Sequence, residues 1–428
     1  MISQEIWPKK KIKRILNIKN GGTPKSSEPS YWEPGEIVWI TPEDLSSGHS
    51  KINTSKRKIS YEGLNNSSAN LVKRGSIVLS TRAPIGNIKI VTSPFATNQG
   101  CKSLERNNDI DIRYFYYYLS INKEYLNQLG RGTTFLELSN ESLKNIELKL
   151  PSLPEQVSIS NYLDKKTSEI DALIADKEKL ISLLEEKRQA VITETVTKGF
   201  DPNVKMKDSG IEWIGEIPEY WEVIRLKFLV NNKTHKKKKE LELPYVGLEN
   251  IESNNETILS KISSNEVESE SLLFDEGDVL FGKLRPYLKK ATRVDFHGCC
   301  SSEFLVLASD NSLILSSLLS KLLLSNDFIE YVNSSTYGAK MPRASWEFMS
   351  NVYVPLIPIR EQKVIIEKLN SFSNGIFNSI KALKKSIHQL KEYRESLIYE
   401  AVTGKIDLRD YKQETDSLVA ERGVTYGN

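Results

Sequence analysis

Apolar residues recur at spacings of three, four or seven along two segments of this chain. The first segment has them at 159, 163, 170, 174, 181, 184 and 191, and the second at 365, 369, 376, 380, 387, 390 and 397. Such a seam, with a polar remainder, is typical of a helix that packs along one partner helix. The pattern therefore predicts two long helices, over about 155–198 and about 361–404.

The two helical segments are copies of each other at a constant offset of 206 residues. Identity at that offset begins with the Glu-Gln pairs at 155–156 and 361–362 and extends to Asp201 and Asp407. The chain is therefore a tandem duplication in the order globule, helix, globule, helix. We expect the helices to pair antiparallel, with the globules at opposite ends of one rod and related by an approximate two-fold axis. The alternative is two unrelated helical linkers, each packed on its own globule.

Local exceptions interrupt the seam. Lys177 lies where the second copy has Leu383, and Arg188 and Arg394 occupy the same seam position in both copies. Polar seam residues of this kind fix the register of paired helices. The run at 371–375, Ser-Phe-Ser-Asn-Gly, is poor in helix-forming residues and favours a break in the second helix.

Both globules contain short runs of β-forming residues followed by basic turns. Strands are predicted at 37–41, 75–80 and 277–282. Thr81–Gly86 follows the second of these strands, and Lys283–Lys290 follows the third. A stiff loop that carries arginine, proline and aromatic residues can enter a DNA groove. A solvated charged turn is the alternative interpretation.

A second matched feature precedes each helix. Gly132 and Gly338 are again 206 residues apart, and both have hydroxyl, Arg or Lys neighbours that can bind phosphates or base edges. The neighbours that we single out are Arg131, Thr133, Thr134, Tyr337, Lys340 and Arg343. The presence of both features in both halves indicates paired DNA-contact loops.

Composition and charge narrow the class of protein. Among 428 residues, 39% are hydrophobic and 27% charged, and no apolar run opens the chain, so we expect a cytoplasmic protein with two or three cores. Three cysteines, two of them adjacent, suit reduced thiols. Residues 1–150 hold 22 basic and 14 acidic residues, a net charge of +8, whereas residues 201–354 hold 18 and 23, a net charge of −5. Any DNA contact by the second globule must therefore use a local patch, because salt screens phosphate attraction beyond about 8–10 Å.

Motifs of enzyme chemistry are not visible. The sequence has no phosphate-binding loop, no dinucleotide fingerprint and no Asn-Pro-Pro-Tyr motif, and no two of its four histidines have metal-ligand spacing. A cluster at Asp295, His297, Cys299, Cys300 and Glu303 lacks the second Cys/His pair of a zinc site.

Taken in order, these segments resemble the DNA specificity subunit of type I restriction-modification systems. The resemblance covers essentially the whole chain. It rests on Gly21–Lys25, Ser80–Arg82 with Gly86, Asn98–Gly100, Gly277–Lys290 and the two Pro-x-x-Pro entries to the helices. One departure is that Pro151 and Pro154 lie two residues off the constant alignment with Pro355 and Pro358.

The resemblance implies an α+β protein with two α/β target-recognition domains, joined by two helices in an antiparallel coiled coil with internal pseudo-two-fold symmetry. The implied boundaries are domain 1 at 1–152, spacer 1 at 153–200, domain 2 at 201–356, spacer 2 at 357–407 and a tail at 408–428. DNA-binding residues are expected at Thr23, Lys25, Arg82, Arg131, Thr133, Thr134, Lys283, Arg285, Tyr287, Lys289, Lys290, Tyr337, Lys340 and Arg343.

The implied function is non-catalytic recognition of a bipartite double-stranded DNA site. Two methyltransferase subunits and the restriction subunits are the implied partners, and no membrane is involved. This chain is expected to bind no cofactor, whereas S-adenosylmethionine, Mg²⁺ and ATP belong to the partners. Two alternatives stay open: a stand-alone nuclease whose active site has no recognisable motif, and a coiled-coil adaptor that binds no nucleic acid.

Overall fold

A computed structural model describes residues 7–46, 48, 50–107, 110–130, 136–237, 242–264, 270–336, 342–408 and 411. The chain forms two compact units, the first assembled from two separate stretches of sequence and the second from one continuous stretch. Unit 1 comprises residues 1–176 and 386–428, and unit 2 comprises residues 177–385. Each unit thus contains a globule and about half of each long helix.

Within the described part of the chain, the elements that begin in unit 1 are ten strands and five α-helices. The strands are β1 Lys9–Lys11, β2 Leu16–Asn20, β3 Ile37–Ile40, β4 Lys51–Ile52, β5 Arg57–Ile59, β6 Ser76–Ser80, β7 Ile88–Val91, β8 Phe95–Thr97, β9 Cys101–Arg106 and β10 Glu147–Lys149. The helices are α1 Tyr61–Asn65, α2 Ile112–Ile121, α3 Lys123–Gln128, α4 Asn140–Asn145 and α5 Leu153–Lys198.

The elements that begin in unit 2 are twelve strands and four helices among the described residues. The strands are β11 Met206–Asp208, β12 Glu216–Pro218, β13 Glu222–Arg225, β14 Val230–Lys233, β15 Pro244–Val246, β16 Ile262–Ser263, β17 Ser271–Phe274, β18 Val279–Gly282, β19 Ala291–Arg293, β20 Gly298–Ser301, β21 Phe304–Ser309 and β22 Tyr353–Leu356. The helices are α6 Ser316–Leu324, α7 Asn326–Ser334, α8 Trp346–Asn351 and α9 Ile359–Val402.

The two units repeat one sheet topology. The order β2-β9-β6-β7 in unit 1 corresponds to β14-β21-β18-β19 in unit 2. In a second sheet, β3 pairs antiparallel with β5 and parallel with β8, as β15 does with β16 and β20. The short pairs β1-β10 and β13-β22 also correspond. This shared order confirms the predicted internal repeat.

Both long helices are continuous and pair antiparallel inside each unit. In unit 1, Arg394 of α9 donates to Asp171 of α5 at 2.9 Å. In unit 2, Ile192 and Val196 of α5 share a core with Ile365 and Leu369 of α9. The predicted seam is confirmed, since its residues are buried or half-buried along both helices.

The expected break in the second helix is wrong. Helix α9 runs unbroken through residues 371–375, and Gly375 lies in its interior. Leu369 and Ile376, on either side of this run, are both buried. Their burial outweighs the helix-propensity cost of about 1 kcal/mol for one glycine.

The repeated Glu-Gln pair has the same structural role in both units. Gln156 accepts from the Asp111 amide at 3.1 Å, and Gln362 accepts from the Leu315 amide at 2.8 Å, so each glutamine ties the start of a long helix to its globule. The preceding glutamates accept from an indole N–H in each case, that of Trp7 for Glu155 and that of Trp221 for Glu361. Although the prolines before the helices are out of step, α5 and α9 begin 206 residues apart, at Leu153 and Ile359.

All three cysteines are buried free thiols. Burial raises the pKa of Cys101 and of Cys300 well above the usual range of a thiol. They therefore behave as small apolar side chains of the core. Among the described residues, no helix has the length and apolar character needed to cross a membrane.

Candidate nucleic-acid interface

Three loops of unit 1 meet at one end of its sheets. In the ladder β2-β9-β6, Asn20 and Leu79 both lie opposite Lys102, so the loops that follow β2 and β6 leave the sheet side by side. The Thr81 amide then donates to the Gly100 carbonyl, and the Gly22 amide to the Thr97 carbonyl, both at 2.8 Å. These bonds join Gly21–Lys25, Thr81–Gly86 and Asn98–Gly100 into one surface, which we call the unit 1 loop surface.

The first of these loops is held tightly against the domain. A Cβ added to Gly21 would lie 1.9 Å from the Asn98 carbonyl oxygen, so only glycine allows this approach. Trp39 donates its indole N–H to the Gly22 carbonyl at 3.0 Å, and Trp32 donates to the Lys25 carbonyl at 3.2 Å. The fixed backbone leaves the side chains of Thr23 and Lys25 exposed.

Each predicted cation of this surface lies beside an acceptor. Arg82 pairs with Glu137 at 3.1 Å, and Lys25 pairs with Glu28 at 3.4 Å. The Thr23 hydroxyl donates to the side-chain carbonyl of Gln99. Because Arg82, Glu137, Lys25 and Glu28 all remain partly or largely exposed, a phosphate or base edge can compete for the cations at little cost.

Arg57 is a further cation that the sequence reasoning missed. Its guanidinium lies 3.7 Å from the centre of the Trp32 ring. Arg57 pairs across the ladder with Trp39, which places it at the same sheet end as Asn98–Gly100. The run Lys56-Arg57-Lys58 was the signal available in the sequence.

Unit 2 builds an equivalent surface. The Lys283 amide donates to the Glu303 carbonyl at 2.8 Å, as Thr81 does to Gly100. The Lys283 carbonyl accepts from the Ala344 amide at 2.9 Å, as that of Thr81 accepts from Leu138 at 2.8 Å. The turn Lys283–Lys290 and its neighbours Glu303 and Arg343 form the unit 2 loop surface.

The predicted contact residues of unit 2 that the structure describes include an outward group and an inward group. Arg285 and Tyr287 are exposed, and Arg343 pairs with Glu303 at 2.7 Å on the surface. By contrast, Lys289 donates its ammonium group to the Asn326 side chain, and Lys290 donates to the Leu248 carbonyl at 2.6 Å. Burial lowers the pKa of Lys289 below that of a free lysine. The inward pair thus holds the turn in place, while Arg285 and Tyr287 face solvent.

Five of the predicted contact residues lie outside the described residues. They are Arg131, Thr133, Thr134, Tyr337 and Lys340. Both matched glycines, Gly132 and Gly338, lie outside them as well. Within the part of the chain that the structure describes, no three His, Cys, Asp or Glu side chains are placed to hold a metal ion.

Comparison with known proteins places this architecture in a family. Residues 4–183 and 218–389 match the family described as the type I restriction modification DNA specificity domain. The chain belongs to this family. It is therefore a DNA-recognition subunit and not an enzyme, and its two matched segments correspond to the repeat in its sequence.

Relatives of this specificity subunit are found in archaea and bacteria. It is 27% identical over 426 residues to the type I restriction enzyme MjaIX specificity subunit of Methanocaldococcus jannaschii, and the alignment covers 94% of each chain. It is 24% identical over 335 residues to the EcoDI specificity subunit of Escherichia coli, with 74% of each chain covered. The similarity thus spans both halves.

Solved structures share the fold. A chain in a structure of a type I restriction-modification system superposes with a TM-score of 0.70 at 15% identity, covering 93% of this chain and 98% of that one. The HsdS subunit of Thermoanaerobacter tengcongensis gives a TM-score of 0.51 at 16% identity, covering 94% and 98%. At these identities the likeness concerns the fold alone.

Proposed function

We propose that each unit of this specificity subunit reads one half of a bipartite double-stranded DNA site. The observation that carries the proposal is the repetition of one loop surface, built on the same sheet topology with the same backbone bonds in both units. Arginine is the commonest reader of base edges in the major groove, and Arg82 and Arg285 are the exposed arginines of the two basic turns.

The chemistry belongs to partner subunits in this proposal. Two methyltransferase subunits use S-adenosylmethionine to methylate adenine, and restriction subunits use Mg²⁺ and ATP. The long helices suit docking, because they carry exposed apolar side chains that neither globule covers. Examples are Leu173 and Tyr393 in unit 1, and Leu180, Leu183 and Phe377 in unit 2.

The spacing of the half-sites follows from the helices in this proposal. Two domains that enter the major groove from one side of a duplex reach half-sites near one helical turn apart, about 34–36 Å or about 10–10.5 base pairs. The target therefore contains an unread spacer, whose length depends on the length of α5 and α9.

The deciding experiment is methylome sequencing of a host that carries the full system. We expect one methylated motif with two specified parts and an unspecified spacer, which disappears when this subunit is deleted. A motif that persists after deletion would refute the proposal.

Incubation of the purified chain with Mg²⁺ and plasmid DNA tests the nuclease alternative, for which cleavage is required. An adaptor without DNA contact would show no sequence-dependent binding in the assembled complex.

A further inference from the structure

The basic turn of unit 2 has an unusual backbone. Arg285 and Lys289 have positive φ angles of 52° and 50°, and they flank the short helical turn Pro286–Leu288. A third such residue, Asn254, has φ 59° and donates its amide to the Lys289 carbonyl at 3.0 Å. Within the described ranges, no other non-glycine residue has a positive φ. Such conformations persist only where the surrounding structure imposes them.

Helix α5 supplies that support along two routes. Arg188 donates from its guanidinium to the carbonyl of Asn254, whose own amide bonds to Lys289 of the turn. Thr193 accepts from the Asn326 amide at 2.9 Å, and the Asn326 side chain in turn accepts from the ammonium group of Lys289. Both routes start on the buried side of α5 and end on the turn that presents Arg285.

Unit 1 supports its turn differently. Asn127 of α3 donates to the Ile85 carbonyl at 3.0 Å, and Lys123 of α3 donates to Asn87 at 2.8 Å. The residue equivalent to Arg188 in the repeat is Arg394, which pairs with Asp171 of α5 instead. The repeated arginine thus joins a long helix to Asn254, which bonds to the turn, in unit 2, and joins the two long helices in unit 1.

We propose that Arg188 is a positioning residue for DNA recognition by unit 2. This role rests on the proposed function, in which the turn Lys283–Lys290 faces DNA. Because Arg188 lies on α5, the spacer helix sets the backbone of the turn and hence the direction of Arg285 and Tyr287. By thermodynamic reciprocity, DNA bound at the turn stabilises this stretch of α5 in return.

The first arm of the test needs no DNA. Hydrogen exchange is measured on the full chain for Arg188→Ala, Arg188→Lys and the matched control Arg394→Ala. We expect Arg188→Ala to speed exchange at the Asn254 amide and in the peptide that covers 286–290, Arg188→Lys to give an intermediate effect, and Arg394→Ala to leave both sites unchanged. Unchanged exchange in Arg188→Ala would overturn the proposal, whatever the DNA result.

The second arm measures the complex assembled with methyltransferase subunits on duplexes that carry the methylated motif, or the motif with either half scrambled. We expect Arg188→Ala to weaken binding by about 5–150-fold, the usual range of coupling between sites. The loss should vanish on the duplex whose unit 2 half is scrambled. The contrary outcome is faster hydrogen exchange in Arg188→Ala with unchanged affinity for the intact and the half-scrambled duplexes. That result would refute the DNA role of the turn, and with it the proposed function in unit 2.

Because Arg188 is half-buried, a second variant separates the proposed role from a general loss of stability in Arg188→Ala. Thr193→Val removes only the acceptor of the Asn326 amide at similar volume, and it tests the second route. A shift of the same half-site preference in this variant supports the proposal. An effect on both half-sites alike would contradict it.

Discussion

The ion pair between Arg82 and Glu137 makes opposite predictions for its two members. If Arg82 contacts DNA, Glu137 competes with the DNA for the guanidinium and also repels phosphates. Glu137→Gln should therefore tighten binding, whereas Arg82→Ala should weaken it. If the ion pair had a purely structural role, both variants would bind DNA more weakly.

The geometry sets the size of both effects. The pair is 3.1 Å long and both side chains are partly exposed, so it contributes about 0.2–1 kcal/mol. Releasing Arg82 should raise affinity by about 1.4- to 5-fold. Removing a base-reading arginine costs about 1–3 kcal/mol, or about 5- to 150-fold in affinity. Neither change should lower the free energy of unfolding by more than about 1 kcal/mol.

The assay is fluorescence anisotropy of a labelled duplex with the assembled methyltransferase complex, at several salt concentrations. If Arg82 contacts a phosphate instead of a base edge, Arg82→Ala should also reduce the slope of log K against log salt by about 0.9. Glu219→Gln is the matched control, because Glu219 pairs with Lys205 at 2.7 Å near the β11-β12 hairpin, outside the loop surfaces. Weaker binding by Glu137→Gln, or an equal gain in Glu219→Gln, would refute the reasoning.

Three further predictions concern the spacer helices, the core and pH. Inserting seven residues after 177 and after 383 should keep the seam and add about 10 Å of helix. Methylome sequencing should then show a preferred spacer that is longer by about three base pairs, with unchanged half-sites. Leu369→Ala should lower the free energy of unfolding of unit 2 by about 2–5 kcal/mol in thermal denaturation, because Leu369 is fully buried; a neutral result would contradict the helix packing. The pKa of Asp275 is lowered below the ordinary aspartate value of 3.8, first by the hydrogen bond from Lys233 and then by that from His297. Its stabilisation is therefore present above pH 3.8 and lost as pH falls through the lower folded-state pKa; the difference in urea midpoint between the native protein and Asp275→Asn should shrink below pH 3.8, and a constant difference would count against it.

Much of the architecture was readable from the sequence because it depends on local periodicity. The seam predicted both long helices to within two residues, since a helix repeats its contacts every three or four positions. The offset of 206 residues predicted the repeated topology without any structure. Runs of β-forming residues bounded by turn residues similarly located β3, β6 and β18, and the basic turns that follow β6 and β18.

Other features depend on contacts between residues that are distant in sequence, and only the tertiary structure decides them. Ser371–Gly375 is helical because buried neighbours outweigh its local preference. Lys289 and Lys290 belong to the same basic run as Arg285, yet they face inward because Asn326 and Leu248 offer acceptors there. Arg188 and Arg394 are identical in the repeat but bind different partners, since a side chain takes whichever acceptor the surrounding fold provides. Periodicity thus determined the elements and their repetition, and the tertiary surroundings determined what each charged side chain does.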